Sequence, residues 1–107
     1  MHVLAAKHLK DAAGRFPKAA KQLAAWRSIA KDKCWRSPDD VKDTFADAEF
    51  AGDFVIFRIH QNKYRLVTSI HYPGGVNGSA TDGHVWVRSF LSDKQYEDQA
   101  NWEKGVL

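Results

Sequence analysis

Apolar residues recur at helical spacing in two stretches near the start of the chain. From about Ala6 to Arg15, Leu9, Ala12, Ala13 and Phe16 share one side, with Lys7, Lys10 and Asp11 opposite. Gly14 weakens this helix near its end, and Phe16-Pro17 stops it, because a residue before proline is pushed out of helical geometry. Pro17 suits the first turn of a second helix. That helix, roughly Lys18 to Lys33, turns Ala19, Leu23, Trp26 and Ala30 to one side. Two helices joined so closely form an αα-hairpin whose apolar stripes need a sheet to pack against. Ser37-Pro38-Asp39-Asp40 predicts the start of a third, short helix: a capping hydroxyl, a proline at the first helical position and acids near the positive end of the dipole. Thr44 to Phe50 reads as a loop or single turn.

The period then changes from helical to alternating. Phe54 to Leu66 holds two β-rich runs around Gln61-Asn62, which predicts a hairpin with a two-residue turn. In that register His60 faces Lys63, Arg58 faces Arg65 and Ile56 faces Val67, all on one side of the sheet. Val55, Phe57 and Ile59 with Tyr64, Leu66 and Thr68 form the other, apolar side. Like charges opposed across a ladder are destabilising. Either the first side is a cationic face kept for an anion, or its arginines find acidic partners elsewhere on the chain. The second strand runs on toward Tyr72, and Pro73 to Gly83 is a connection full of Gly, Asn, Ser and Thr. His84 to Leu91 is another alternating strand, with Val85, Val87 and Leu91 on one side and His84, Trp86, Arg88 and Phe90 on the other. If the valines face the core, Trp86 and Arg88 join the cationic face. Met1 to Leu4 predicts a short first strand, and Ser92 to Trp102 a C-terminal helix with Ser92 and Gln95 as a capping box.

Composition adjusts this picture only slightly. The 107 residues predict one domain, residues 1–107, with a single core. The net charge of +3 is modest, but its distribution is uneven. Met1 to Arg36 carries nine Lys and Arg against Asp11 and Asp32, whereas Asp39 to Glu49 carries five acids and only Lys42. A basic region beside an acidic edge fits nucleic acid or an acidic protein partner. The lone Cys34 rules out an internal disulfide and points to a reducing, cytoplasmic setting. No apolar run approaches the length of a membrane span, and the N-terminus lacks a hydrophobic signal core.

The candidate chemistry follows from the basic face. Arg58, Lys63, Arg65 and Arg88 are of the type that holds phosphates, and Trp86 and Tyr96 of the type that stacks on bases, as in single-stranded RNA binders. Core burial is the alternative for Trp86. RNA supplies its own nucleophile: a 2′-hydroxyl attacking the adjacent phosphodiester needs a base, an acid for the leaving 5′ oxygen and cations for the crowded phosphorane. No metal or other cofactor is expected, since none of His2, His8, His60, His71 and His84 is spaced with a second ligand like a zinc motif. His60 is either a proton acceptor beside the basic pair or an exposed turn histidine. There is no Gly-rich phosphate loop and no serine nucleophile elbow.

Taken together, the chain resembles the HigB family of toxins within the RelE/ParE superfamily. The resemblance spans about Leu9 to Tyr96. It rests on Leu9, Pro17, Leu23 and Trp26, on Trp35 with Ser37-Pro38-Asp39, on Phe45 and Phe50, and above all on Asn62-Lys63-Tyr64-Arg65-Leu66. It implies an α+β fold, two or three helices on a small, mostly antiparallel sheet. It also implies an endoribonuclease that cleaves messenger RNA without metal, commonly in the ribosomal A site, and so inhibits translation. The implied partner is a HigA-like antitoxin with a helix-turn-helix domain, through which alone the toxin would meet DNA. On this reading Arg65 clamps phosphate with support from Lys63 and Arg58, Arg88 stabilises the transition state, and Tyr96 with Asp93 handles base stacking or proton transfer. One segment departs from the family pattern. Where relatives commonly read Thr-His-x-Glu-Tyr-Asp, this chain has Ser92-Asp93-Lys94-Gln95-Tyr96-Glu97, so a carboxylate replaces a histidine. A carboxylate ionised at neutral pH accepts a proton but does not donate one. The departure leaves a second reading, a catalytically weak binding module in a DNA-bound repressor complex with its antitoxin. A third, inhibition of DNA gyrase in the manner of ParE, shares the scaffold but not the Asn-Lys-Tyr-Arg signature. The Pro73 to Gly83 connection, longer than the family's usual turn, is the other departure.

Overall fold

The computed structural model describes residues 1–61, 63–73 and 83–106. Asn62 of the expected turn and residues 74–82 of the long connection lie outside them. The order of elements is β1 (His2–Leu4), α1 (Lys7–Arg15), α2 (Pro17–Asp32), α3 (Pro38–Thr44), β2 (Glu49–Ala51), β3 (Phe54–Ile59), β4 (Tyr64–His71), β5 (His84–Ser92), α4 (Asp93–Tyr96), a single 3-10 turn (Gln99–Asn101) and β6 (Gly105–Val106). The fold is α+β, as the resemblance implies for a RelE-like domain. Among the described residues no helix is long and apolar enough to cross a membrane.

The helical periodicity translates directly into packing. Ala19, Leu23, Trp26 and Ala30 of α2 are buried, as are Leu9 and Ala12 of α1. They meet Val55, Phe57, Ile59, Leu66, Val85, Val87 and Phe90 from the sheet. Phe57 is the hub, with ring centroids 5.3 Å from Trp26, 5.1 Å from Phe45 and 6.2 Å from Trp35. The Trp35 indole also donates 3.0 Å to the Thr44 hydroxyl, tying the turn before α3 to its end. Pro17 opens α2 and Pro38 opens α3 as expected, but the Ser37 hydroxyl makes no capping bond. Instead the Asp40 carboxylate accepts from the backbone N–H of Arg36 at 2.9 Å.

The sheet runs β1-β5-β4-β3-β2, with β6 also beside β5. β1 and β6 pair with β5 in parallel, along different parts of its length; the other pairings are antiparallel. The hairpin register is the predicted one: Arg58 pairs with Arg65 and Ile56 with Val67. Lys63 N–H closes the turn onto the His60 carbonyl at 3.1 Å, with His60 and Gln61 at φ of 54° and 55°.

Three expectations need correction. Glu49–Ala51, read as part of a loop, is the edge strand β2, hydrogen-bonded to β3. The predicted C-terminal helix from Ser92 to Trp102 stops at Tyr96, and the chain continues through the 3-10 turn into β6. The alternation along β5 is also broken. Val67 pairs with Ser89 but Thr68 with Val87, so Arg88 is an extra, bulged residue. The bulge shifts the faces by one: Phe90, not Leu91, joins Val85 and Val87 against the helices, and Leu91 crosses to the far side with Ile56 and Val67.

The far side is therefore not uniformly cationic. Its middle is a second apolar cluster of Ile56, Val67 and Leu91 capped by Trp102, with Ala51, Phe54 and Tyr96 around it. Trp102 packs edge-on against Phe54 at 5.4 Å, and the buried Ser89 hydroxyl bonds the Trp102 carbonyl at 2.6 Å. The C-terminal segment thus covers the centre of this face and leaves its charged residues at the ends.

Candidate functional site

At one end of the far face the ladder puts Arg58 directly opposite Arg65. Two elements relieve that opposition. From β2, Glu49 comes alongside Arg58: Nε donates to Oε1 at 3.1 Å, and Nη2 bonds the same oxygen. From α4, Asp93 Oδ1 stands 2.9 Å from Arg65 Nη2. The alternative left open by the sequence, acidic partners elsewhere on the chain, describes this arrangement better than a bare cationic face does. Arg65 is only 8% exposed, whereas its partner's carboxylate side chain is 61% exposed.

Tyr96 joins the two pairs. Its hydroxyl donates to Glu49 Oε2 at 3.1 Å, and the Arg65 guanidinium lies over its ring at 5.3 Å. Behind it the Trp102 indole stacks in parallel at 5.0 Å and donates 2.9 Å to the Tyr96 carbonyl. The short helix that carries Asp93 and Tyr96 is fixed by a complete capping box. Gln95 N–H donates to the Ser92 hydroxyl at 3.2 Å, and Ser92 N–H to the Gln95 side chain at 2.9 Å. Asp93 N–H also donates 2.9 Å to the Lys63 carbonyl, docking α4 on the hairpin end.

Charge and burial tune these groups in opposite directions. Chiefly through its hydrogen bond from Arg58, Glu49 is held below the ordinary carboxylate range, against the opposing effect of burial. Tyr96 is pushed above the ordinary phenol value, first by burial and then by the Glu49 charge it bonds to. Arg58 is raised by Glu49 in turn. Glu49 thus holds negative charge at neutral pH and Tyr96 holds its proton.

The remaining candidates fall elsewhere. Lys63 is exposed at the turn, next to Arg65 in space through its carbonyl link to Asp93. His60 leaves the ladder at positive φ; its N–H donates 2.7 Å to Gln22 of α2, and its ring lies 6.3 Å from Tyr64, on the helical side. It does not share the face of the arginine pair, because the turn rotates it off the strand's alternation. Arg88 and Trp86 form a separate pair three residues or more along β5 from Leu91, the partner of Arg65. The Arg88 guanidinium stacks 4.4 Å over the Trp86 ring and donates 3.1 Å to the Ser69 hydroxyl. Trp86 is 43% exposed, so it is not a core residue. With Phe50, His71 and His84 the pair lines a cleft of about 390 Å³.

Glu49 is the residue that sequence reasoning missed. Its strand is three residues long and lacks alternation, and the only signal for it was its place in the acidic run ending at Glu49. Among the described residues no three His, Cys, Asp or Glu side chains group closely enough to hold a metal ion.

A family model described as HigB_toxin, the RelE-like toxic component of a toxin-antitoxin system, matches residues 19–99. Comparison with curated proteins gave no match. The matched span is well over half of the chain and contains Glu49, Arg58, Arg65, Asp93 and Tyr96, and the chain accordingly belongs to the HigB toxin family, as the toxin whose counterpart is an antitoxin.

Proposed function

We propose that this toxin is an mRNA interferase: a metal-independent endoribonuclease that cuts messenger RNA, in the ribosomal A site, and so arrests translation in the cytoplasm. The observation that carries the reading is the largely buried Arg65, paired with an exposed acid and stacked on Tyr96. A guanidinium held by an exposed carboxylate can exchange that partner for a phosphate, keeping its geometry while charge accumulates on the substrate. Arg65 is then the phosphate clamp, supported by Lys63 and Arg58. Tyr96 and Asp93 stand at the same end to move protons. Arg88 and Trp86 bind a flanking nucleotide, the ring stacking on a base and the guanidinium meeting phosphate. Attack of the 2′-hydroxyl forms a 2′,3′-cyclic phosphate and releases a 5′-hydroxyl. The partner is a HigA-like antitoxin with a helix-turn-helix domain, and contact with DNA goes through that partner.

Expression of Arg65→Ala should relieve growth arrest while leaving antitoxin binding intact, and mapping of RNA 5′ ends after brief induction should lose the cuts seen with the unaltered toxin. Full toxicity of that variant at equal expression would remove Arg65 from this role. A second reading has one observation in its favour: Asp93 stands in place of the family histidine and already occupies Arg65. On it the chain binds RNA and antitoxin but cuts weakly, and defined cleavage in a translating extract excludes it.

A further inference from the structure

The replacement of the family histidine by Asp93 leaves open which group takes the nucleophile's proton. In the free protein Asp93 is paired with Arg65 and His60 faces the helices, so neither is bonded to Tyr96 in the way an acceptor behind it must be. Glu49 is a further carboxylate at this end of the face, and it is bonded directly to Tyr96.

We propose that Glu49 and Tyr96 act as a proton relay, with Glu49 as the positioning residue behind Tyr96 and the final holder of the proton. The inference rests on the endoribonuclease reading above and extends it to a residue outside the hairpin signature. As the 2′-oxygen bonds to phosphorus, its proton passes to the Tyr96 phenol oxygen while the Tyr96 proton moves along the 3.1 Å hydrogen bond to Glu49 Oε2. The phosphorus–5′-oxygen bond breaks, the leaving oxygen takes a proton from water, and Glu49 returns its proton to water. Atoms and charge balance with no other reactant.

Four features of the structure fit this role. The phenol's proton points at Glu49, so the oxygen's lone pairs are free to accept from a substrate. Burial and the Glu49 charge keep Tyr96 protonated at neutral pH, so the phenol must pass on one proton as it receives another. Arg58 holds Glu49 in the ionised form a proton acceptor must have, at some loss of basicity, and bonds Oε1 while Oε2 takes the Tyr96 hydrogen bond. Glu49's side chain is 37% exposed, which gives its proton a route to solvent, while Trp102 and the Arg65 guanidinium hold the ring between them.

The test is a comparison of Glu49→Gln, Glu49→Asp and Tyr96→Phe with the unaltered toxin, by single-turnover cleavage of messenger RNA on programmed ribosomes, with antitoxin binding as the measure of folding. A glutamine oxygen still accepts the Tyr96 hydrogen bond but takes no proton at neutral pH. A relay therefore predicts that Glu49→Gln loses about 10²-fold or more in the cleavage rate at saturating ribosome, with binding of the ribosome unchanged, and loses the acidic limb of the pH profile. Glu49→Asp should recover part of the rate, and Tyr96→Phe should fall at least as far as Glu49→Gln. If Glu49→Gln cuts at the unaltered rate with the same pH profile, Glu49 merely orients Tyr96 and the relay is wrong, though the endoribonuclease reading stands. If the unaltered toxin itself leaves no cuts, that reading and the relay fall together.

Discussion

Tyr96 shows how a single side chain couples burial, charge and hydrogen bonding. Its folded pKa lies above the ordinary value of 10.0. A group whose folded pKa is raised contributes stability fully below its unfolded value and loses it as pH rises through the folded one. The protein should therefore lose stability above about pH 10, and Tyr96→Phe should reduce that loss without abolishing it, because burial raises Tyr72 as well. Denaturant unfolding at pH 9 and pH 11 checks this, and an identical alkaline loss in the two proteins contradicts it. Glu49 has the opposite sign: its lowered pKa contributes stability above the ordinary carboxylate value that is lost as pH falls. The site was unevenly legible at this scale. The facing of Arg58 and Arg65 follows from period two and the hairpin register alone. Glu49 was invisible because its importance comes from the pairing of β2 with β3, a contact between segments that no local pattern encodes. Tyr96 was legible as an aromatic of the type that stacks on bases and Asp93 was reached by resemblance, but the contacts of both depend on where α4 docks.

At the scale of elements, strong periodicity was readable and weak periodicity was not. The helices α1 and α2 have Leu9, Ala12, Leu23 and Trp26 at unambiguous spacing, and Pro17 marks the boundary between them. β2 and β6 are three and two residues long, too short for any alternation, and exist because a neighbouring strand offers them hydrogen bonds. The bulge at Arg88 is likewise set by pairing with β4 and not by β5 itself. The element most consequential for the site is α4, only four residues long. Such a helix has almost no stability of its own, so the Ser92 cap matters more than usual. Ser92→Ala should cost about 1 kcal/mol, or about 4–8 °C in Tm for a chain of this size, and Ser92→Thr should restore most of it. Because Asp93 and Tyr96 ride on this turn, cleavage should fall further in Ser92→Ala than the loss of folded protein accounts for. A cleavage rate that merely tracks the folded fraction, measured below the melting range, argues that α4 is held by Trp102 and not by its cap.

The whole molecule places its functional end by covering everything else. Helices close one face of the sheet, and the C-terminal segment with Trp102 closes the centre of the other. Arg65 is thus set at the rim of an apolar cluster, where low exposure strengthens its interaction with any anion. In the free protein that anion is Asp93, so an RNA phosphate must displace a carboxylate to reach Arg65 Nη2. Binding RNA through ordinary exposed cations releases counterions, and affinity for single strands falls with salt at a slope of about −0.7 per phosphate. With the displaced Asp93 carboxylate still beside Arg65, the site has no net charge to drive a condensed cation off the RNA, so this contact is missing from the slope. Asp93→Asn removes that carboxylate's charge and gives the site a net positive charge toward RNA. The variant should bind a short RNA, made uncleavable by 2′-deoxy substitution, more tightly at low salt, with a slope steeper by about 0.7. It should also melt at a lower temperature, because a largely buried guanidinium has lost its carboxylate. Fluorescence anisotropy across a salt series measures both affinity and slope. Unchanged or weaker binding at low salt would mean that Asp93 does not compete with phosphate, and that the Arg65–Asp93 pair remains closed when RNA is bound.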